Sequence, residues 1–282
     1  MITLWGSRRV LMTPVLCFVF LVGTRCNNQA SSNCATQDNL NWVAADTGCL
    51  RINTFKNPAL SANPNLVIVI HGDAPFNKPG YQYAAAKIIA AQNRNTIAIG
   101  LLRPGYTDPE DQRSHGRKGN TTGDNYTPEV VASVAAAIKN LRETYHAART
   151  VIAAHSGGAA ITGALVALYP ELADGAVLVA CPCDVTEWRK YMQSQQPGNK
   201  EWSAPVSSIS PIEIAGKVSG KTRLVLISGD QDEVVPIMYS SNYHKRLKAF
   251  NKQSALVILN GEGHEAFFNK RVFAEVKGLL GN

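Results

Sequence analysis

The chain has 282 residues, of which 45% are hydrophobic and 17% are charged. This length and apolar content support a full buried core, in one large domain or in two small ones. The formal charge of +7 falls to +4 without Arg8, Arg9 and Arg25, and no nucleic-acid recognition motif accompanies it, so nucleic-acid binding is not expected.

The N-terminus has the pattern of an export signal. A charged n-region is followed by the apolar run "VLMTPVLCFVFLVG" (10–23), which is too short to span a bilayer comfortably, and then by a polar stretch. We interpret residues 1–30 as a signal and polar leader, which predicts an exported protein, periplasmic or secreted, with no stable membrane span in the mature chain. An uncleaved anchor and lipid attachment at Cys26 remain alternatives, although Arg25 stands where a lipidation site wants a small residue.

Cysteine usage agrees with export. If Cys17 and Cys26 are set aside with the leader, four of the six cysteines remain, an even number. In an oxidising compartment Cys34 and Cys49 could close a loop, and the "CPC" at 181–183 could form a tight ring or stay as two thiols. A C-x-C without a second pair or a His cluster is a weak metal signal, so no metal site is expected.

Downstream, apolar runs of strand length alternate with segments of helical composition. The polar segment 27–47 is expected to be irregular. Strands are expected at 49–55, 66–70, 95–102, 149–154, 175–181, 222–228 and 255–260. Helices are expected at 81–92, 128–147 with Thr127 as the N-cap, 157–169, 236–250 and 265–280. This alternation predicts an α/β fold, with a mostly parallel central sheet flanked by helices, in one domain of residues 31–282.

Two long segments interrupt the alternation. Residues 103–127 are rich in Gly, Pro, Asp and Asn and have no periodicity, and a loop of this length in a compact domain is usually functional or mobile. Residues 184–216 hold two Trp, a polar stretch and several prolines. We interpret 184–216 as a small lid insertion over one end of the sheet.

Polar and small residues follow four of the predicted strands. The motifs are "HGDAPF" (71–76), "HSGG" (155–158), "GDQDEVVP" (229–236) and "GEGHE" (261–265). Because ligands bind at the carboxyl ends of strands in open α/β sheets, these motifs are expected on one rim. A Ser hydroxyl needs a base to take its proton as it attacks, and a carboxylate fixes the tautomer of a His that does so. The rim offers these groups in the chain order Ser, Asp, His.

In these motifs and their order, the chain from about residue 49 onward resembles the α/β-hydrolase superfamily, with its serine esterase and prolyl-oligopeptidase-like peptidase branches. The resemblance implies a nucleophile at Ser156, an acid at Asp232, a base at His264, and oxyanion donors at the backbone N–H groups of Gly157 and Asp73. One departure is Ala154, which stands where the nucleophile turn usually has its first Gly. Alanine is the next smallest residue, so the turn is expected to keep its geometry.

Some readings of these residues stay open at the level of sequence. Asp230 is a rival to Asp232 as the acid, and a Ser-Gly-Gly after a strand can be only a turn. A carboxylate beside a developing oxyanion opposes catalysis, so the Asp73 side chain is expected to turn away, either to cap a helix or to pair with Arg103.

The sequence therefore predicts an exported serine hydrolase that cleaves carboxylic esters of small or moderate acyl substrates through an acyl-enzyme, with no metal or organic cofactor. A serine peptidase or aminopeptidase of the same fold is the nearest alternative, and a non-catalytic binding protein on a hydrolase scaffold is another. The residues expected to line the pocket are His155, Tyr106, Trp188 and Trp202. The oligomeric state is left open.

Overall fold

The structure is a computed structural model that describes residues 1–2, 34–119 and 126–281. All but the first two residues of the predicted export signal lie outside these residues, so its interpretation rests on the sequence. None of the described helices has both the length and the apolar character needed to cross a bilayer.

Within the described residues, eight strands form one sheet in the order β1-β2-β4-β3-β5-β6-β7-β8. The strands are β1 (Trp42–Ala45), β2 (Gly48–Lys56), β3 (Asn65–Ile70), β4 (Thr96–Leu101), β5 (Arg149–His155), β6 (Gly175–Val179), β7 (Arg223–Gly229) and β8 (Ser254–Leu259). The first two strands join the sheet antiparallel, whereas β3 to β8 run parallel to one another. The predicted mostly parallel α/β sheet is confirmed.

Helices cover both faces of this sheet because its central strands are apolar on both sides. They are α1 (Tyr81–Gln92), α2 (Pro128–Thr144), α3 (Gly157–Leu168), α4 (Val185–Gln195), α5 (Met238–Ala249) and α6 (Lys270–Leu280). In β3, Leu66 and Ile68 pack in the layer that contains α2 and α3, whereas Val67 and Val69 pack in the layer that contains α1 and α6. A strand buried on both faces reads in sequence as a continuous apolar run.

Strand β1 corrects the expectation that residues 27–47 are irregular. Its four residues pair with β2 around a tight turn, in which Ala45 lies opposite Gly48. Gly48 has a φ of 114°, and a Cβ there would collide with the His115 ring. Such a short strand shows no usable alternation in sequence, and its pairing with β2 decides its conformation. A disulfide between Cys34 and Cys49 ties the preceding segment to β2.

The segment 184–216 belongs to the same compact unit as the sheet. It contains α4 and two short 3-10 helices, Lys200–Ser203 and Pro211–Lys217. The Asp184 side chain caps α4 by accepting a hydrogen bond from the backbone N–H of Glu187.

Candidate active site

Ser156 occupies the sharp turn between β5 and α3. Its backbone has φ 50° and ψ −121°, a conformation that non-glycine residues rarely adopt and that is kept where the surrounding fold imposes it. The neighbouring positions must be small: a Cβ on Gly72 would approach the Ser156 Cβ to 2.9 Å, and a Cβ on Gly158 would collide with the backbone of β3 and its following residue. The turn therefore holds the Ser156 side chain at the carboxyl edge of the sheet.

A line of hydrogen bonds runs from Ser156 to a buried carboxylate. The Ser156 Oγ lies 3.1 Å from the His264 Nε2, and the His264 Nδ1 lies 2.9 Å from the Asp232 Oδ2. The Asp232 side chain is fully buried, and its Oδ1 also accepts hydrogen bonds from the backbone N–H groups of Val234 and Val235. These bonds fix the carboxylate and leave it facing the imidazole, so the proton of a neutral His264 belongs on Nδ1 and its lone pair faces Ser156.

Asp230 is placed differently from Asp232. Its Oδ1 accepts a hydrogen bond from the backbone N–H of Gly261, and the residue is exposed. Asp230 therefore joins the loops after β7 and β8, and the carboxylate that contacts the His264 ring is that of Asp232.

Two backbone N–H groups that the sequence predicts as oxyanion donors, those of Asp73 and Gly157, lie near Ser156. Among the described residues, neither Asp73 nor Gly157 donates its backbone N–H to a protein acceptor. Both residues lie at the carboxyl edge of the sheet, one after β3 and the other at the first turn of α3. Unpaired N–H groups at such a place are suited to hold a developing oxyanion.

The Asp73 side chain makes one of the two contacts expected from sequence. Its Oδ1 pairs with the Arg103 Nη1 at 2.9 Å, and its Oδ2 accepts a hydrogen bond of 2.7 Å from the Tyr126 hydroxyl. The carboxylate does not cap a helix; it fills the space into which a Cβ on Gly157 would project. Burial, with the Asp73 charge, raises the pKa of Tyr126 well above its usual range, so Tyr126 stays a donor.

Two charged groups thus lie together behind the candidate oxyanion site. The Arg103 side chain is 1% exposed and the Asp73 side chain 9%. Lys118 adds a second cation on this side, because its ammonium donates to the carbonyl groups of Ala74 and Pro75. The sequence suggested Arg103 as a partner of Asp73. It gave no local signal for the other partner, Tyr126, because this residue lies 53 positions further along the chain in a segment without periodicity.

The four side chains expected to line the pocket are all buried. Tyr106 packs edge-on against His71, with ring centroids 4.7 Å apart. Trp188 and Trp202 pack against each other at 5.4 Å, and the Trp188 indole donates to the Val234 carbonyl at 2.8 Å. The two Trp side chains therefore support the loop that carries Asp232. His155 also lies inside the molecule, where both of its ring nitrogens are hydrogen-bonded.

A second disulfide lies close to this site. Cys181 and Cys183 are bonded to each other just after β6, and both are fully buried. Strand β6 lies beside β5, and its Val179 carbonyl accepts a hydrogen bond of 2.8 Å from the backbone N–H of Ser156. In the part of the chain that the structure describes, no three His, Cys, Asp or Glu side chains converge as metal ligands would.

The sheet order and the turn that carries Ser156 are those of the α/β-hydrolase fold. A sequence profile of the prolyl oligopeptidase family matches residues 114–279. The chain belongs to the prolyl oligopeptidase family. No curated protein matches the chain in sequence.

Solved structures of both peptidases and esterases share the fold. Pyrococcus horikoshii acylaminoacyl peptidase is 15% identical with a TM-score of 0.61; the match covers 84% of this chain and 39% of the peptidase. Est1E from Butyrivibrio proteoclasticus, solved with ferulic acid, is 14% identical with a TM-score of 0.61 and coverages of 85% and 96%. The Pyrococcus furiosus esterase Pf2001 is 17% identical with a TM-score of 0.61 and coverages of 85% and 90%. This chain therefore spans about two fifths of the peptidase and nine tenths or more of the two esterases.

Proposed function

We propose that the protein hydrolyses carboxylic esters of small or moderate acyl substrates through an acyl-enzyme. Ser156 is the nucleophile, His264 the general base and acid, and Asp232 the carboxylate that orients His264. The observation that carries the proposal is the hydrogen-bonded line from the Ser156 Oγ through both ring nitrogens of His264 to Asp232, at 3.1 and 2.9 Å.

The geometry supports a two-step reaction. The Ser156 oxygen attacks the ester carbonyl carbon while its proton passes to the His264 Nε2, and Asp232 stabilises the imidazolium that forms. The N–H groups of Gly157 and Asp73 hold the oxyanion. When the tetrahedral intermediate collapses, the C–O bond breaks and His264 gives its proton to the leaving alcohol. A water then attacks the acyl group, its proton passes through Nε2 to the Ser156 oxygen, and the acid leaves.

Esterase activity is favoured by the two esterases that align with this chain over nine tenths or more of their own length. Peptidase activity is the second candidate, and membership of the prolyl oligopeptidase family favours it. The segment 184–216, within a hydrolase domain of residues 31–282, would act as a small lid. Export after removal of the leader is supported by two disulfides, which persist in oxidising compartments.

A fluorophosphonate probe tests the enzyme proposal directly. The purified protein should be labelled, and Ser156→Ala should not be. Ser241→Ala, on an outer helix, is the matched control and should label as the unaltered chain does. Equal labelling of Ser156→Ala, or none of the unaltered chain, would remove Ser156 as the nucleophile.

The bond type requires a substrate panel. For each substrate, kcat/KM is divided by the rate of the uncatalysed reaction. We expect this ratio to be higher for p-nitrophenyl esters of short and medium acyl chains than for aminoacyl and prolyl amides. A preference for the amides would favour the peptidase. Cell fractionation and N-terminal sequencing of the mature chain test export and the cleavage site.

A further inference from the structure

His155, which directly precedes Ser156, lies in a chain of three hydrogen bonds between two loops of the site. The Gly72 backbone N–H donates to the Tyr81 hydroxyl at 2.6 Å. That hydroxyl lies 2.9 Å from the His155 Nδ1. On the other side of the ring, the His155 Nε2 lies 2.9 Å from the carbonyl oxygen of His264. The chain therefore joins the loop after β3 to the loop after β8.

The two ends of this chain determine where every proton lies. A carbonyl oxygen can only accept, so the His155 Nε2 carries a proton and donates it to His264. A backbone N–H can only donate, so Tyr81 accepts from Gly72 and has its own proton left for the His155 Nδ1. A neutral imidazole meets both demands, because it has one donor and one acceptor nitrogen.

The surroundings keep His155 uncharged. The residue is 3% exposed, and burial, followed by the nearby His264, lowers the pKa of His155 to about 4. The hydrogen bond to the His264 carbonyl and the carboxylates of Asp232 and Asp73 favour the charged form but do not offset burial. Burial also raises the pKa of Tyr81 above its usual range, so its hydroxyl keeps the proton that the chain requires.

We propose that His155 is a positioning residue that links the oxyanion loop, through Tyr81 and Gly72, to the backbone of the base His264. Asp73, the proposed oxyanion donor, directly follows Gly72, so the position of the Gly72 N–H helps to set where the Asp73 N–H points. At their other end, these hydrogen bonds fix the backbone carbonyl of His264, whose side chain must reach Ser156. This inference rests on the proposed function of these residues.

Packing alone is the competing explanation for a ring at residue 155. Phe267 lies against His155 with ring centroids 5.7 Å apart, and Tyr81 packs edge-on against it at 5.8 Å. A phenyl ring would satisfy these contacts and lose both hydrogen bonds. A glutamine side chain would lose the ring, but it carries an acceptor and a donor on one carbon, as the imidazole carries its two nitrogens on one carbon. The variants His155→Phe and His155→Gln therefore separate the two explanations.

The test measures kcat and KM for a p-nitrophenyl ester, with rates normalised to the sites titrated by a fluorophosphonate. We expect His155→Phe to lower kcat about tenfold to a hundredfold with KM changed less than about threefold, since misplacement of reacting groups by about an ångström has effects of this size. His155→Gln should restore kcat to within about threefold of the unaltered chain. His244→Gln, a His on α5 that bonds to Ser254, is the matched control and should have no effect.

Tyr81→Phe removes the hydroxyl in the middle of these hydrogen bonds and leaves residue 155 unchanged. Tyr81→Phe should lower kcat with little change in KM. The double variant with His155→Phe should have a kcat no more than about threefold below that of the slower single variant, because both changes break the same line of hydrogen bonds. The proposal is refuted if His155→Phe keeps kcat within about threefold of the unaltered chain, or if His155→Gln is as slow as His155→Phe. Should His155→Phe not fold, full activity of Tyr81→Phe refutes it alone.

These results are distinguishable from failure of the proposed function. If Ser156 is not the nucleophile, the unaltered chain will not be labelled there at all. If only the present inference fails, the unaltered chain will be labelled and will turn over substrate, and the variants at residues 81 and 155 will do so at the same rate.

Discussion

The buried pair of Arg103 and Asp73 leads to a quantitative prediction about the oxyanion site. The Asp73 carboxylate fills the space beside the Cα of Gly157, whose N–H is a proposed oxyanion donor, and Arg103 is its ion-pair partner at 2.9 Å. Arg103→Gln removes the compensating charge and leaves the carboxylate in place. We expect this change to slow the step in which the oxyanion forms.

The size of the effect follows from Coulomb's law. A carboxylate about 5 Å from the oxyanion opposes it by about 3 kcal/mol at an effective dielectric constant of about 20, and a guanidinium about 8 Å away favours it by about 2 kcal/mol. Loss of Arg103 therefore removes about 2 kcal/mol, which is about a thirtyfold fall in kcat. The double variant Arg103→Gln/Asp73→Asn removes both charges, which is a net gain of about 1 kcal/mol, so its kcat should recover to about fivefold above that of the unaltered chain.

The assay is ester hydrolysis normalised to fluorophosphonate-titrated sites, with thermal unfolding measured in parallel. Arg51→Gln is the matched control, because Arg51 is also a buried arginine, paired with Asp108 at 3.2 Å. Both single Arg variants should lose stability, by about 3–5 kcal/mol for breaking a buried ion pair, but only Arg103→Gln should lose kcat. A kcat that is unchanged in Arg103→Gln, or equally low in the double variant, would refute the electrostatic reasoning.

Three further predictions follow from the site. Asp232→Asn should lower kcat by about 10⁴-fold, because the amide oxygen would accept from the backbone N–H groups of Val234 and Val235 and its NH2 would face the His264 Nδ1, which imposes the wrong tautomer. Asp230→Asn should stay near the unaltered rate, and the reverse order would make Asp230 the acid. Gly157→Ala should lower kcat by at least about a hundredfold, since its Cβ would collide with the Asp73 carboxylate, and an active Gly157→Ala would contradict the geometry. Stability should fall as the pH drops from about 6.5 towards 4, by about 3 kcal/mol from His155 alone, because the unfolded chain binds a proton there that the folded chain does not. Urea unfolding at several pH values checks this, and His155→Gln should flatten the dependence.

The fold was predictable from sequence because its signals are local. Strands such as β3 are buried on both faces, so "LVIVI" (66–70) is apolar without interruption. The start of α2 is marked in the sequence by Thr127 as the N-cap and Pro128 in the first turn. Strand β1 was not predictable, since "WVAA" carries no signal of its own and forms by pairing with β2. Helical periodicity likewise gave the last helix but not its division into a 3-10 turn and α6.

By itself, the sequence determined the order of strands and helices and which polar residues end up at the carboxyl edge of the sheet, because the strand that precedes each one fixes where it emerges. Only the tertiary structure decided which of these residues touch. Asp232 rather than Asp230 faces His264, Trp188 and Trp202 support the acid loop, and Asp73 is compensated by Arg103 and Tyr126. Contacts of this kind join residues tens of positions apart, and they depend on side-chain directions and burial that no local stretch of the chain encodes.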